Sequence, residues 1–418
     1  MREMKDSGIE WVGQIPSTWR INKGKYFISL LNKPAREADE IITCFRDGEV
    51  TLRSNRREDG FTVSLTETGY QGIDVGDLIV HGMDGFAGAI GISDSRGKAT
   101  PVLNVLNTTE CKKYLMYLMR SMAYCGLFLS LSTGIRVRTC DTNWKKLREI
   151  DYLLPDLLEQ QNIANFLDAK CAEIDALTAD IQAQIDTLEQ YKRSIVFRTV
   201  SQGITQAAMK KTESDVWTTI PSNWDLADIK YLFEIVKRIA GKEGYDVLSV
   251  TQRGLKVKDI SSNEGQIAND YSGYQLVYPT DFVMNHMDLL TGWVDCSTQF
   301  GVTSPDYRVF VLRDKEHNNL HYFKYVMQCC YMCRIFYSLG QGVSQLGRWR
   351  LQTSAFNNFK VPVPPTETQL EIAIFLDAKI AEIDSIIDKK KEQLSILETY
   401  KKSLIYEYVT GKKEVPVQ

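Results

Sequence analysis

Three sets of side chains in this 418-residue chain have types and spacings that could do chemistry. The first is a series of basic clusters, because guanidinium and ammonium groups are what a protein places against phosphate. They fall at Arg53, Arg56 and Arg57, then at Arg136, Arg138, Lys145, Lys146 and Arg148. In the second half they fall at Lys237, Arg238 and Lys242, at Arg253, Lys256 and Lys258, and at Arg348 and Arg350. A single cluster of this kind is ordinary solvated surface. Recurrence in both halves weighs against that reading. The second set, Pro155-Asp156 followed by Asp168-Ala-Lys170, formally matches the loose pattern of metal-dependent nucleases, which gather carboxylates around a divalent cation. The third joins Cys329, Cys330 and Cys333 to His317 and His321 as a conceivable zinc set.

The elements that must carry these groups decide between the readings, and they come twice. EQQNIANFLDAKCAEIDAL at Glu159–Leu177 returns as TQLEIAIFLDAKIAEIDSI at Thr368–Ile386. LEQYKRSI at Leu188–Ile195 returns as LETYKKSL at Leu397–Leu404, and IPSTW at Ile15–Trp19 returns as IPSNW at Ile220–Trp224. Each copy is large enough to hold its own core, so this is a duplicated half and not a short stacking repeat. Within the repeat, apolar residues at Ile163, Leu167, Cys171, Ile174, Leu177, Ile181, Ile185, Leu188, Tyr191 and Ile195 step by three or four, which predicts a long amphipathic helix. The second copy repeats the stripe from Ile372 to Leu404, interrupted at Lys389, Lys390 and Lys391. Pro155 precedes the first helix; Pro362, Pro364 and Pro365 precede the second, with Thr366 as its N-cap. About 40 residues of helix span about 60 Å, and two such stripes find cover most simply against each other.

Helical placement removes the nuclease reading. Residues two apart on a helix point about 200° away from each other, so Asp168 and Lys170 cannot converge on one metal. In the second copy Asp377-Ala-Lys379 is kept while Pro365 stands where the first aspartate would be. The cysteines at i and i+4 of a Met- and Tyr-rich helical segment read as small hydrophobes, and no second ligand pair has zinc spacing. The region before each long helix, about 20–152 and 225–361, shows short β-like runs such as Asp77-Leu-Ile-Val, Ala89-Ile-Gly-Ile, Phe282-Val-Met and Tyr307-Arg-Val-Phe-Val-Leu. Each passes into a short helix, predicted at Lys113–Leu129 and Tyr322–Leu339. A skeleton survives at an offset of 204: Asp77 and Asp281, Met83-Asp84 and Met287-Asp288, Gly88 and Gly292, Pro101 and Pro305.

Composition bounds the class. The chain is 44% hydrophobic and 25% charged. With no apolar run of about 18 residues it reads as globular and cytoplasmic. Nine cysteines without framework spacing read as reduced thiols. The net charge of −3 is concentrated in the helical segments, above all the first, where eight acidic residues stand against four basic ones between Asp156 and Arg198. No Asn-Pro-Pro-aromatic tetrapeptide is present, as an adenine methyltransferase would need to hold a flipped base. The glycines Gly82, Gly85, Gly88 and Gly91, and Gly340 with Gly342, have turn chemistry and not the spacing of a phosphate-cradling loop.

Near-identical helices joined to divergent globular regions resemble the specificity subunit of a type I restriction-modification system. DSGIEWVGQIPSTW, QQNIANFLDAK, TQLEIAIFLDAK and YKKSLIYEYVTGK carry the resemblance, which covers essentially the whole chain. It implies an α+β chain of two pseudo-repeated halves, each a mixed α/β target recognition domain followed by a long helix. The two helices would pack as an antiparallel coiled-coil spacer. The expected boundaries are 1–152 for the first recognition domain, 153–203 for the first helix, 204–361 for the second domain and 362–418 for the second helix and tail. The resemblance further implies a non-catalytic subunit without cofactor that reads a bipartite asymmetric site on double-stranded DNA. It would scaffold two modification subunits, which bind S-adenosylmethionine and methylate adenine, and two restriction subunits; no membrane is involved.

On this reading lysine and arginine supply affinity through phosphates, while arginine, asparagine, glutamine, serine or histidine choose bases. The candidates in the first domain are Arg53, Asn55, Arg56, Arg57, Arg136, Arg138 and Lys145. Those in the second are Gln252, Arg253, Lys256, Lys258, Gln345, Arg348 and Arg350. His81 and His286 serve either as DNA contacts or as satisfied loop histidines. The outer helix faces and the similar segments at the two chain starts are the expected partner surface. A stand-alone two-headed DNA-binding protein is the alternative, which would share the basic clusters but has no need of an acidic helical rod.

Overall fold

The three-or-four spacing of the repeated segment becomes two long helices, Leu157–Gln202 and Thr366–Val409. They belong to a computed structural model described here for residues 2–56, 68–131, 142–259, 268, 270–342 and 349–416. The chain divides into two compact units, Met1–Ile181 with Glu392–Gln418, and Gln182–Lys391. Each unit boundary therefore falls inside a long helix.

In the first unit a four-stranded antiparallel sheet is built from β1 (Ile28–Leu30), β2 (Leu78–His81), β3 (Ile90–Ile92) and β4 (Leu103–Thr108), in the order β1-β4-β2-β3. Leu78, Val80, Ile90 and Leu106 turn one face of it onto helix α1 (Lys112–Tyr124), which buries Tyr114, Leu115, Leu118, Met119 and Met122. The other face packs Ile79 and Val105, with Ile73 of the separate strand Gln71–Ile73, against the hairpin Ile42–Cys44/Val50–Leu52. Alternating strand side chains thus serve two apolar layers, as the period of two requires. Call the first long helix α2. Its Leu157–Ile181 segment joins the α1 layer through Ile163, Leu167, Cys171 and Ile174, together with Leu404, Ile405, Tyr408 and Val409.

The second unit repeats the order with β5 (Phe233–Val236), β6 (Phe282–Met284), β7 (Val294–Cys296) and β8 (Arg308–Leu312), arranged β5-β8-β6-β7. Helix α3 (Leu320–Met332) covers it, and the second long helix is α4. Aromatic rings replace the aliphatic core of the first unit: Phe233, Phe282, Phe310 and Phe323 lie edge-on or stacked at 5.2–5.6 Å between centroids.

The Asp77/Asp281 correspondence has a local cause. Asp77 accepts the Asp74 amide at 2.8 Å and the Lys33 ammonium at 2.7 Å. Asp281 accepts the Tyr278 amide at 2.9 Å and pairs with Arg238. Each carboxylate closes the turn that feeds a central strand. The repeated IPSxW segment is a second such device. Ile15 and Ile220 pair in short hairpins with Lys5 and Lys210, and Trp19 and Trp224 are both fully buried beyond them.

The short helices expected over 113–129 and 322–339 are each broken once. Gly126 interrupts the first at φ +83°, and Arg334 interrupts the second at φ +56°. A non-glycine residue in the left-handed region is strained by roughly 1 kcal/mol. Arg334→Gly is therefore expected to raise stability by a few tenths to about 1 kcal/mol, the gain being trimmed by glycine's unfolded-state entropy. A urea titration checks it; a fall in stability would mean the Arg334 side chain contributes more than its backbone costs.

The apolar stripe is not covered throughout. Ile163, Leu167, Ile174, Ile181, Ile185 and Ile195 are buried, but Leu177 is 47% exposed, and Tyr191 and Tyr400, at matching repeat positions, are 51% and 53% exposed. Helical spacing fixes a face, not what covers it. Within the first unit Asp175 accepts from Lys401 at 2.6 Å and Phe166 meets Tyr408 at 4.5 Å. Residue numbers rise along one segment as they fall along the other. Within the second unit Lys192 donates to Asp384 at 2.6 Å and Lys390 to Gln184. Among the described residues no helix is long and apolar enough to cross a membrane.

An ion network ties the first unit's loops together. Arg96 joins Asp39 at 2.8 Å to Asp74, and Lys33 joins Asp74 to Asp77. Hydrogen bonds from Lys33, then from Arg96, pull the Asp74 carboxyl down from 3.8 to about 2. A depressed carboxylate favours the folded state above its unfolded pKa, and that contribution is lost as pH falls through the folded value. The first unit should consequently lose stability between about pH 4 and pH 2. Because the Asp74 side chain is 45% exposed, the effect is a slope and not a collapse. Thermal midpoints measured across that window should fall less steeply in Asp74→Asn than in the parent chain; parallel curves would remove Asp74 from the account.

Candidate nucleic-acid interface

In the first unit the structure gathers part of the predicted set. Arg53 and Asn55 form a single 3-10 turn after the strand Val50–Leu52, and Arg56 closes it. Arg53 and Arg56 line a cavity of about 780 Å³ together with Arg46, Asp47, His81 and Asp84. Arg56 is held there by Asp47 at 2.7 Å and Glu49 at 3.1 Å, with its guanidinium 4.2 Å above the Phe45 ring. Asn55 donates to the Thr51 hydroxyl at 2.9 Å, and Arg53 reaches the Thr43 hydroxyl at 3.4 Å. These side chains are positioned before any ligand arrives, which lowers the entropy cost of presenting them.

His81 accepts the amides of Met83 and Asp84 at its Nδ1, at 3.2 and 3.0 Å, and burial holds its pKa down. That nitrogen is a satisfied loop acceptor. Arg46, paired with Asp84 at 2.8 Å and 66% exposed, is a cavity cation that sequence reasoning missed. Its signal was the Arg46-Asp-Gly turn, which lies at the tip of the hairpin Ile42–Cys44/Val50–Leu52, whereas Arg53 follows its second strand. Lys145 is exposed on the short helix Trp144–Leu147 and lines no part of that cavity. Arg57, Arg136 and Arg138 lie outside the described residues.

In the second unit Gln252 and Arg253 occupy the turn of the hairpin Leu248–Thr251/Gly254–Val257, where Gly254 takes φ +95°. They line a cleft of about 790 Å³ with Trp293, Asp295, Gln328 and Arg334 on the sheet side, and with Lys192, Arg193, Asp384 and Asp388 from α2 and α4. Gln252 lies 3.4 Å from the Thr291 carbonyl. Lys256 is exposed on the second strand of the hairpin opposite Ser249, and Lys258 is half-buried just beyond it. Arg350 is exposed where the chain pairs Gln341 with Arg350, outside the cleft lining. Gln345 and Arg348 lie outside the described residues.

Both metal readings dissolve in the geometry. Asp168 accepts from the Tyr117 hydroxyl at 2.8 Å and from Lys113, while Lys170 turns to Glu173 at 2.8 Å. Asp377 accepts in the same way from Tyr325, from His321 at 3.0 Å and from Lys324. The repeated aspartate of FLDAK is a fastening between each unit's short helix and its long one. His317 bonds Asp314 at 2.8 Å, and Cys329 and Cys330 are buried, with Cys329 3.9 Å from Cys333. Among the described residues no cluster of metal-binding side chains occurs.

Known proteins share features with this arrangement. Residues 221–395 match the family described as Type I restriction modification DNA specificity domain. Over 97% of its length the chain is 21% identical to the putative type I restriction enzyme MjaX specificity subunit of Methanocaldococcus jannaschii, covering 96% of that protein. It is also 23% identical to the type I restriction enzyme MjaVIII specificity subunit of the same organism, over 96% of this chain and 94% of that one. Along nearly its whole length the chain is similar to type I specificity subunits. A solved structure described under the complex assembly and conformational transition of the type I R-M system shares the fold of this chain. Its TM-score is 0.67 at 12% identity, covering 96% of this chain and 99% of that one. In this chain the divergent loops of each sheet domain line the cavity and the cleft, whereas the matching aspartates Asp168 and Asp377 are fastenings.

Proposed function

We propose that the chain is the sequence-specific DNA-recognition subunit of a type I restriction-modification complex and is itself non-catalytic. Each unit reads one half of a bipartite, asymmetric site, and the long helices pack as an antiparallel coiled coil that sets the unread spacer. The carrying observation is the near full-length match to two specificity subunits. The same four-strand order in both units supports one recognition domain per half-site. Arg46, Arg53 and Arg56 in the first unit, and Gln252, Arg253, Lys256 and Arg350 in the second, are the described side chains proposed to meet DNA. The other candidates are Asn55, Lys145 and Lys258, together with Arg57, Arg136, Arg138, Gln345 and Arg348, which lie outside the described residues.

Double-stranded DNA, two modification subunits and two restriction subunits are the proposed partners, assembled in the cytoplasm. S-adenosylmethionine belongs to the modification subunit. The exposed outer helix positions and the two IPSxW hairpins are the proposed contacts for modification subunits, one per half.

Co-expression with the neighbouring modification subunit in a methylation-free host, followed by sequencing of modified adenines, tests the whole reading. A two-part motif with a fixed gap is the expected result. An assembled complex that modifies nothing, while the isolated chain binds DNA tightly, would favour the stand-alone two-headed DNA-binding protein.

A further inference from the structure

Arg308 opens the apolar strand β8 with 5% of its surface exposed, and among the described residues no carboxylate pairs with it. Its guanidinium donates to the Leu351 carbonyl at 3.1 Å and the Thr353 hydroxyl at 3.2 Å, and lies 4.6 Å above the Phe356 ring. These contacts latch the 349–353 segment to the sheet, but a latch does not need a charge. In the first unit the same strand position holds Asn104, since Asn104 faces Val80 in β2 as Arg308 faces Met284 in β6. Asn104 fastens the corresponding segment through the Thr142 carbonyl at 3.0 Å. A neutral amide performs the same task there. The positive charge of Arg308 calls for another explanation.

Its neighbours supply one. Two residues beyond Met284, His286 is 7% exposed, and its buried Nδ1 has no hydrogen-bond partner among the described residues. His286 and Arg308 hold the same residue from two sides: the Leu351 amide donates to the His286 carbonyl at 2.9 Å, and the Leu351 carbonyl accepts from Arg308. Arg350, exposed and next to Leu351, completes the group, and the indole N–H of Trp349 beside it is likewise unpartnered among the described residues. Tyr331 spends its hydroxyl on the Asn285 carbonyl at 2.8 Å, and the Asp288 carboxylate, which also faces Tyr331, accepts the Leu290 and Thr291 amides at 3.0 Å. Burial, Arg308 and Arg350 together push the His286 imidazole down to about 4. In the first unit Gly82 stands at the position of His286, for the Thr142 amide donates to the Gly82 carbonyl at 2.9 Å. The cationic set is a property of the second unit.

We propose that Arg308, His286 and Arg350 form an anion-binding site that takes one backbone phosphate of DNA, in the second recognition domain and not the first. The proposal rests on the DNA-recognition reading and names which groups supply charge to one half-site. A phosphate oxygen would accept from His286 Nδ1–H and from the guanidinium groups, compensating a buried cation that no carboxylate among the described residues balances.

Two measurements test it. The full chain, labelled at histidine carbon, contains only four histidines, and His286→Gln identifies the resonance. Titration with inorganic phosphate should raise the His286 midpoint from about 4, because a bound anion favours imidazolium. Arg308→Gln keeps an amide able to hold Leu351 and should abolish that rise while the protein remains folded. In complex with the modification subunit, Arg308→Gln should weaken binding to all DNA sequences alike and reduce the slope of log K against log salt by about 0.9. A rise with phosphate but an unchanged slope would overturn DNA as the source and leave a free-phosphate site. A lower slope without any phosphate response would overturn the three-residue site. A complex that binds no DNA would sink the recognition reading, and the phosphate titration alone would then decide whether the anion site exists.

Discussion

Replacing Phe233 with alanine is expected to destabilise the second unit by about 3–5 kcal/mol, the range for removing a fully buried ring. Phe233 is 3% exposed, and its ring meets Phe282 at 5.3 Å, Phe310 at 5.2 Å and Phe323 at 5.6 Å, each edge-to-face. Edge-to-face pairs add about 0.5–1.5 kcal/mol each beyond the area they bury. The surrounding rings are held by strand pairing in β6 and β8 and by α3, so the hole left behind cannot easily collapse. The chain contains two units and need not unfold in one step. Hydrogen exchange read at the amides of Phe282–Met284 and Arg308–Leu312 is therefore the better measurement. Tyr231→Ala is the control, at a residue 69% exposed. An exposed substitution of this kind should stay within about 0.5 kcal/mol of the parent. A Phe233→Ala loss well under the range for a buried ring, below about 1.5 kcal/mol, would show that this sheet-to-helix layer relaxes and is not where the unit's stability lies.

What could be read in advance from the residues follows from how local each signal is. The long helices are legible because a stripe at three-or-four spacing repeats over many turns, and Asp168 with Asp377 keeps its place because one carboxylate meets one tyrosine hydroxyl in each half. The Asp77 and Asp281 turns are legible for the same reason: a short carboxylate closing its own loop needs only neighbouring residues. Three-residue strands carry too little pattern to fix a register, so the shared order of the two sheets could not be derived from them. Arg56 looks free in sequence, yet Asp47 and Glu49 reach it only because a hairpin folds them back. Arg308 is hidden in Arg-Val-Phe-Val-Leu, which reads simply as a strand. That no carboxylate among the described residues pairs with it is visible only once its neighbours are placed. Tyr191 and Tyr400 illustrate the reverse error, since their spacing assigned them to a buried stripe that the packing leaves half open.

Gln369→Leu should cost about 1–3 kcal/mol for the buried amide it orphans, toward the upper end because two carbonyls lose a donor as well. The Gln369 side chain is 1% exposed; it accepts the Asn319 amide at 2.8 Å and donates to the carbonyls of Pro364 at 2.9 Å and His317 at 3.4 Å. Gln160, at the matching repeat position and fully buried, accepts the Cys111 amide at 2.9 Å and donates to the Pro155 carbonyl at 3.0 Å and to Glu110 at 2.7 Å. In each unit one glutamine thus joins the start of the short helix to the start of the long one. Tyr114 and Tyr322 close the other side, the former on the carbonyls of Leu153 and Val409, the latter on those of Pro362 and Val200. Leucine has the volume but neither donor nor acceptor, so the effect measured is polar satisfaction and not a cavity. The two glutamines share no partner, so the double variant should lose the sum of the single losses within about 0.5 kcal/mol. Denaturant titration of the four proteins measures this. On the proposed function the single variants differ in a second way. Each loosens the recognition domain of its own unit on the helix that carries it, so methylation should weaken at sites that depend on contacts in that half while the other half is still read. Equal damage to both halves from Gln369→Leu alone would mean that the fastening transmits through the whole chain and does not serve one domain.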